Sequence, residues 1–356
     1  MFGVGLAVLA LLLTAYAEPR MRRTLPLMGL AGVLTVAGLW TVQPLVRLLL
    51  LELAVFVAVA LVWRASTARQ AARAYLLAAL VSAAAVITGM QMLDTASPQL
   101  VLALILTGFT LKLALMPLYL YMPLVAESTP AVITGMMVAV VDVAAFGELL
   151  LLIKSAAWLF TPATPWLGIA ILSVLGGAML MLAQRDLKRM VAFSSIQSMG
   201  YLLVGAAVGG PLGLPGALSG AVLDALAFSL LFSSLAAVES NGQPTLDMHG
   251  LANQYPLAGT GFVMGTLAVL GVPLTAGYPV HWRLFGAAAQ SGPLSLIIML
   301  LSNALAVLAY ARVITTCWWG PGEREKQLQP LANTVPLVIL SLVLLATGLW
   351  PGLLGG

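Results

Sequence analysis

The chain has 356 residues, of which 61% are hydrophobic and 8% are charged, and its formal net charge is +4. Soluble domains carry about 25% charged residues, so this composition excludes a soluble protein and indicates a polytopic membrane protein. One cysteine excludes disulfide frameworks and cysteine-based metal or iron–sulfur sites within the chain. The basic residues lie in short loops and not on one face, so no nucleic-acid partner is expected.

Hydropathy predicts about twelve membrane-spanning helices, each near the ~20 residues that a bilayer requires. The first lacks a preceding basic segment, so it is expected to be a retained span and not a cleaved signal peptide. The spans fill the chain and predict a single membrane domain over residues 1–356. In chain order they are Phe2–Ala17, Leu25–Trp40, Leu45–Trp63, Tyr75–Leu93, Leu100–Tyr121, Pro130–Ile153, Trp166–Leu182, Met190–Val208, Leu214–Val238, an interrupted Leu257–Phe285, Leu294–Ala311 and Asn333–Leu354.

Four loops carry most of the basic residues, and with twelve spans all four fall on the same side of the bilayer. The positive-inside rule assigns that side to the cytoplasm. Both termini are then expected on the periplasmic side of a bacterial-type inner membrane. The basic residues of the four loops are Arg20, Arg22 and Arg23; Arg64, Arg69 and Arg73; Arg185, Lys188 and Arg189; and Arg312, Arg324 and Lys326.

Seven ionisable residues remain inside the predicted spans. Such residues are rare in membranes and usually face a bundle interior or a hydrated cavity. Both signs of charge recur on different helices, as a proton relay requires, although static ion pairs that lock helices together are the alternative. Glu148 and Arg283 are the two expected to be purely structural. The seven residues are Glu52, Lys112, Asp142, Glu148, Asp224, His281 and Arg283.

Two of the spans are predicted to be broken helices. Proline removes a backbone donor and frees a carbonyl group, and transporters place such breaks beside their ion sites. Pro117 and Pro123 follow Lys112 in the first broken span. In the second, Pro273 and Pro279 precede His281, together with two glycines. An ionisable residue beside a break therefore occurs twice in the chain.

Four segments carry a resemblance to a known family. The most specific is AQRDLKRMVAFSSIQSMGYLLVG, which holds the expected motif loop of Asp186, Lys188, Arg189, Ser194 and Ser195. The other three are LLLLELAVF, GFTLKLALMPLYLYMPLVAESTPAV and LAVLGVPLTAGYPVHWRLF, which hold Glu52, Lys112 and His281. Together they resemble the antiporter-like proton-translocating subunits of respiratory complex I, multi-subunit sodium/proton antiporters and membrane-bound hydrogenases.

The resemblance implies an all-α, antiporter-like inverted-repeat fold with two broken helices and about two N-terminal helices fewer than the family has. It implies a core at about 45–290 and weaker C-terminal helices at 291–356. Lys112 would hold a proton with an affinity set by Glu52, and Asp142, Asp224 and His281 would continue the relay. The coupling ion would be protons or sodium, moved across the lipid bilayer.

The resemblance also implies a chain that is not catalytic alone. Its partners would be the other membrane and peripheral subunits of a redox-driven complex of the NADH or ferredoxin:quinone oxidoreductase or hydrogenase type. No cofactor is expected within this chain, and any quinone, flavin or iron–sulfur cluster is expected in the partner subunits.

The sequence departs from the family pattern at the centre of the relay. Asp142 stands where the family has a second lysine, and Asp224 where a histidine is usual. An anionic Asp142 beside Lys112 would hold the proton on the lysine. Two hypotheses therefore stay open: an ion-translocating subunit, or a degenerate subunit with a structural or docking role. A third, a membrane enzyme with its own redox centre, is disfavoured because cysteine clusters and paired histidines are lacking.

Overall fold

The computed structural model describes residues 2–161, 164–239, 242–320 and 330–354. Helices satisfy their backbone hydrogen bonds internally, which is the requirement inside a bilayer, and long apolar runs form them here. The helices of the described residues are α1 (Phe2–Ala17), α2 (Leu25–Trp40), α3 (Pro44–Ala65), α4 (Arg69–Gln91), α5 (Pro98–Lys112), α6 (Tyr121–Ser128), α7 (Ala131–Met136), α8 (Val143–Ser155), α9 (Trp166–Leu182), α10 (Leu187–Val208), α11 (Gly210–Glu239), α12 (Leu251–Gln254), α13 (Pro256–Val269), α14 (Gly277–Ser291), α15 (Pro293–Val313) and α16 (Leu331–Leu349).

The predicted all-α membrane fold is confirmed. In the described part of the chain, seven helical segments are long and apolar enough to cross a membrane, and five shorter apolar helices accompany them. The seven are Pro44–Ala65, Arg69–Gln91, Ala131–Ser155, Leu187–Val208, Gly210–Glu239, Pro293–Trp318 and Leu331–Leu349. The five are Phe2–Ala17, Leu25–Trp40, Pro98–Lys112, Trp166–Leu182 and Pro256–Val269. The chain is therefore a multi-pass membrane protein.

Two of the long segments are not regular α-helices throughout. Between α7 and α8 the chain passes through a π-helical stretch, Met137–Asp142, so Asp142 lies where the helix returns to its ordinary pitch. A second π-helical stretch, Ile314–Trp318, extends α15. Wide turns of this kind are frequent at functional sites.

The first broken helix interrupts the chain directly after Lys112. Helix α5 ends at that residue, and α6 begins nine residues later at Tyr121. Ala114 has a positive φ of 49° in the break, and the backbone N–H of Met116 donates a hydrogen bond to Ser173 Oγ at 3.0 Å. Pro117 lies within this break. The break thus lets the chain leave its helix while a neighbouring helix satisfies one of the freed donors.

The second broken helix lies between α13 and α14. Gly271 and Leu274 both have positive φ there, 73° and 74°. Pro273 lies within this break. Both predicted breaks are present, and of the four prolines expected at them Pro123 and Pro279 lie just beyond, each as the third residue of the resumed helix. A proline is tolerated in the first helical turn, where its missing N–H has no intrahelical acceptor.

The basic loops meet at one end of the bundle, which we call the basic end and define by residues 18–24, 66–68, 183–186 and 312–316. Thr67 N–H donates to Ser128 O at 2.8 Å, which joins the loop before α4 to the end of α6. Arg312 Nη2 donates to Gln184 O at 2.8 Å. Glu18 has a pKa raised mainly by burial and secondarily by the negative charge of Glu239. Arg324 and Lys326 lie outside the described residues.

Helix α11 is the central element of the bundle. Nearly all of its apolar stretch is buried, 94%, against 28% for α15 and α16. Glycines allow its neighbours to approach closely, since a Cβ at Gly213 would collide with the Gly205 carbonyl oxygen of α10. The position of α11 places Asp224, near its middle, in the interior of the protein, where it is 1% exposed.

Candidate ion-relay site

Lys112 forms the centre of a buried ion cluster, the triad Glu52–Lys112–Glu148. Its Nζ donates hydrogen bonds to Glu52 Oε1 at 2.7 Å and to Glu148 Oε2 at 3.0 Å. The three side chains are at most 5% exposed and come from α3, the end of α5 and α8. The helix break at Lys112 therefore places an ammonium group between two carboxylates of separate helices.

Glu148 was assigned a structural role and left out of the predicted relay, yet it contacts the lysine directly. A carboxylate in an apolar helix requires a partner, because burying an unpaired charge is costly. Lys112 is the only lysine in the predicted spans. The need to pair a buried carboxylate with a cation was therefore the signal in the sequence that could have predicted the contact between Glu148 and Lys112. Arg283, the other residue expected to be structural, is half-buried and forms no ion pair with the described residues.

Asp142 does not form an ion pair with Lys112. Its side chain is buried, 6% exposed, and receives no hydrogen bond from the described residues. Instead it lines two small cavities, each of about 10 Å³. A cavity of this size holds about one water molecule, and a carboxylate without a protein donor is a suitable hydrogen-bond partner for it.

The two cavities extend from Asp142 to different ionisable residues. The Lys112 cavity is also lined by Lys112, Tyr75, Tyr121 and Ser82. The Asp224 cavity is lined by Asp142, Asp224 and Ser195, together with apolar residues that include Phe228. Asp142 thus lies between the ammonium group of α5 and the carboxylate of α11.

Within the described residues, Asp224 is held by one hydrogen bond. Its Oδ1 accepts from Ser198 Oγ at 2.7 Å, and its Oδ2 is buried without a hydrogen-bond partner in the described chain. The free oxygen belongs to the side chain that lines the cavity shared with Asp142. Asp142 and Asp224, two residues of the predicted relay, therefore line one cavity.

His281 lies on α14 after the second break, and it lines neither small cavity. Its Nδ1 is 3.0 Å from Gly277 O, and its Nε2 is buried without a hydrogen-bond partner among the described residues. The ring meets Tyr201 edge-on at 5.5 Å between centroids and packs on the glycine at 271. The geometry therefore joins four of the five predicted relay residues and leaves His281 separate.

The motif of Asp186 to Ser195 is helical, which corrects its description as a loop. Asp186 Oδ1 accepts the backbone N–H of Arg189 at 2.9 Å and caps α10, so the helix begins three residues earlier than predicted. Burial raises the pKa of Asp186, and this N–H opposes the shift. Ser194 accepts a hydrogen bond from Tyr310 at 2.8 Å, and Ser195 donates to its own helix.

The two basic residues of the motif bind helix ends and not the relay. Lys188, 2% exposed, donates to Glu239 Oε1 and to Thr129 O, both at 2.7 Å. Glu239 Oε2 accepts the N–H of Ala131 at 2.8 Å. Lys188 therefore connects α10 to the end of α11 and the start of α7. The more exposed Arg189 pairs with Glu127 at 2.8 Å.

In the described residues, a bundle of apolar helices has two broken members with buried ionisable side chains beside the breaks, an arrangement found in the class of membrane transport proteins. Residues 75–307 match the family described as NADH:quinone oxidoreductase/Mrp antiporter, transmembrane. The chain belongs to this family.

Relatives in the family include subunits of bacterial NADH-quinone oxidoreductases. The chain is 30% identical over 260 residues to NADH-quinone oxidoreductase subunit N 3 of Streptomyces griseus, across 70% of this chain and 47% of the relative. It is 36% identical over 232 residues to subunit N of Salinispora arenicola, across 62% of this chain and 44% of that protein. The chain thus spans about half the length of the relatives it matches.

Solved structures show the same fold over almost the whole chain. Respiratory complex I from Thermus thermophilus with bound aureothin contains a chain of 27% identity and TM-score 0.79, which matches 99% of this chain and 85% of its own length. The Mrp complex from a Dietzia species contains one of 18% identity and TM-score 0.85, with 99% and 81% covered. At 18% identity the second likeness supports the fold alone.

Proposed function

We propose that the chain is an ion-translocating membrane subunit of a complex I-like, redox-driven pump. Family membership and the names of the relatives support this assignment. The proposed relay runs through Glu52, Lys112, Asp142, Asp224 and His281, within a core at about 45–290. The four relay residues from Glu52 to Asp224 follow one another through direct contact or a shared cavity, and His281 would require a further connection.

The observation that carries the proposal is the position of Asp142 between two cavities. A proton hop requires groups that exchange protons directly or through one water molecule. Asp142 has a cavity of about one water on the side of Lys112 and another on the side of Asp224. A carboxylate used only as a static counter-ion would instead contact the ammonium group, as Glu52 does at 2.7 Å.

We propose protons, and not sodium, as the ion that passes the centre of the site. A lysine ammonium group has three donors and no acceptor, so it offers nothing to a metal cation. It can release and regain a proton. Lys112 contacts Glu52 and Glu148 and lines a cavity with Asp142, so it lies at the centre of the proposed relay. The carboxylates around it can hold protons as well.

The redox energy would come from partner subunits, membrane and peripheral, which would also hold any quinone, flavin or iron–sulfur cluster. The membrane would be a bacterial inner membrane. The basic end would face the cytoplasm and both termini the periplasm, because basic loops are retained on the cytoplasmic side.

A docking or structural role is the alternative, and one observation favours it. Lys112 is enclosed by two carboxylates, a geometry that suits a static lock between α3, α5 and α8. The two functions differ in what the neighbouring aspartate does, since a lock does not require Asp142.

The test is Asp142→Asn in the assembled complex, reconstituted in vesicles. Asparagine keeps the size of the side chain but cannot carry a proton. We expect fewer protons pumped per electron with normal subunit yield, and Asp94→Asn, at an exposed loop position, as the matched control. Unchanged pumping in Asp142→Asn with normal yield would support the docking role.

A further inference from the structure

The charges of the triad do not balance. One ammonium group, Lys112, contacts two carboxyl groups, and all three side chains are at most 5% exposed. Glu52 Oε2 and Glu148 Oε1 are buried without a hydrogen-bond partner in the described residues. With every group ionised, the triad would carry one net negative charge in a place where water cannot solvate it.

Among the described residues, no second cation lines the Lys112 cavity. The other titratable groups that line the Lys112 cavity are Asp142, Tyr75 and Tyr121, none of which is positive. The nearest ring, Phe109, lies 5.9 Å from the lysine Nζ. Both carboxyl groups lie within 3.0 Å of the same nitrogen. One ammonium group balances only one of the two negative charges, so burial and the repulsion between the carboxylates favour a proton on one of them.

We propose that the triad Glu52–Lys112–Glu148 holds one proton on its carboxyl pair in addition to those of the ammonium group, which makes Glu148 a proton-holding partner of Lys112. This inference rests on the proposed function for its role in transport, and on the contacts alone for the proton count.

The extra proton gives the relay a local reserve. When Lys112 releases a proton toward Asp142, the carboxylic acid of the triad can pass its own proton to the lysine nitrogen across their hydrogen bond. The triad then consists of one ammonium group and two carboxylates. It returns to its first state when a proton that enters from outside binds one carboxylate.

The proton count can be measured by infrared spectroscopy of the purified complex near neutral pH. The C=O stretching band of protonated carboxyl groups is compared between each variant and the parent. Carbon-13 labelling of glutamate shifts the glutamic acid bands away from those of Asp142 and Asp224. Glu148→Gln and Glu52→Gln each leave one carboxylate opposite Lys112, so each is expected to lose one glutamic acid band. Lys112→Met leaves two carboxyl groups without a cation and is expected to gain one.

Either of two results would overturn the inference: no band lost in either glutamine variant, or two bands gained in Lys112→Met. If Glu148→Gln fails to assemble, Glu52→Gln gives the same count. Asp224→Asn is the control, and should leave the glutamic acid bands unchanged. A complex that shows the expected bands but pumps no protons would contradict the proposed function and leave the proton count intact. A pumping complex without these bands would contradict the proton count and leave the proposed function intact.

Discussion

Lys112 and Asp142 line the same small cavity, and their side chains do not form an ion pair with each other. The lysine is already held by Glu52 and Glu148, so the aspartate is available for another task. This separation distinguishes the site from a simple lysine–aspartate lock. It also makes the effects of substitutions at the two positions different and measurable.

Asp142→Lys should be tolerated. The triad offers two carboxyl groups to one ammonium group, and a lysine at position 142 would place a second cation near them. The resemblance described above also implies that a lysine is usual at this position in the family. We expect normal subunit yield and retained pumping, measured as protons per electron in the reconstituted complex. Loss of the subunit from the complex would show that Asp142 is a required counter-ion.

Lys112→Ala should impair assembly as well as pumping. The substitution leaves Glu52 and Glu148 buried without a cation, and removal of one partner of a buried ion pair costs about 3–5 kcal/mol. Thermal unfolding and subunit yield are the measurements. Lys154→Ala, at an exposed lysine on α8, is the control and should change neither. Normal yield together with normal pumping in Lys112→Ala would contradict any role for the triad.

Lys188→Ala should destabilise the protein more than Arg189→Ala. Lys188 is buried and holds Glu239 and the Thr129 carbonyl group, so its loss should cost about 3 kcal/mol, at the low end for buried pairs because Glu239 is 17% exposed. The Arg189–Glu127 pair is 32% and 45% exposed, and such pairs contribute about 1 kcal/mol or less. Chemical denaturation of the two variants would test the ranking, which equal losses would contradict.

Gly271→Ala should be more harmful than Gly209→Ala. Both glycines have positive φ, 73° and 69°, where a side chain costs about 1–2 kcal/mol. At Gly271 a Cβ would also lie against the ring of His281, whereas nothing lies within 4 Å at Gly209. The lower unfolding temperature is therefore expected for Gly271→Ala. Similar unfolding temperatures would mean that the His281 ring moves aside without cost.

Cysteine labelling can test the orientation of the basic end. In a Cys317→Ser background, Arg185→Cys should react with a membrane-impermeant reagent only after the cytoplasmic face is opened. Gln43→Cys, exposed in the loop between α2 and α3, should react from the periplasmic side. The background substitution removes the one native cysteine. Reaction of position 185 from the periplasm would reverse the topology.

Hydropathy alone predicted most of the helices. The bounds of α1, α2 and α9 coincide with their predictions, since each is an apolar run that ends at polar or turn-forming residues. The contact of Glu148 with Lys112 could not be predicted in the same way. It depends on three separate elements, one of which ends at a helix break. The π-helical stretch before α8 also changes the side of the helix on which the following residues lie. Hydropathy cannot predict this change, because a hydropathy average does not depend on helical pitch.

The motif around Lys188 shows a second limit of the sequence. The sequence predicts that Lys188 and Arg189 belong to a basic loop that marks the cytoplasmic side of the membrane. Asp186 caps α10, however, so both residues lie inside that helix. The partner of Lys188, Glu239, lies 51 residues away at the end of another helix. Local sequence patterns identify helix caps and membrane spans. They do not identify which distant carboxylate forms an ion pair with a buried lysine.

Glu239 has a mechanical consequence for the relay. It ends α11, which carries Asp224, and it accepts the first N–H of α7, which leads to Asp142. The carboxylate of Glu239 therefore holds the end of α11 beside the start of α7. At about 1.5 Å per residue in an α-helix and less in the π-helical stretch, Asp142 lies no more than about 17 Å along the helix from Ala131. Because these two helix ends are fixed to each other, a small tilt of either helix would displace its residues very little at the basic end. The same tilt would widen or narrow the gap between Asp142 and Asp224, which lie deeper in the bundle.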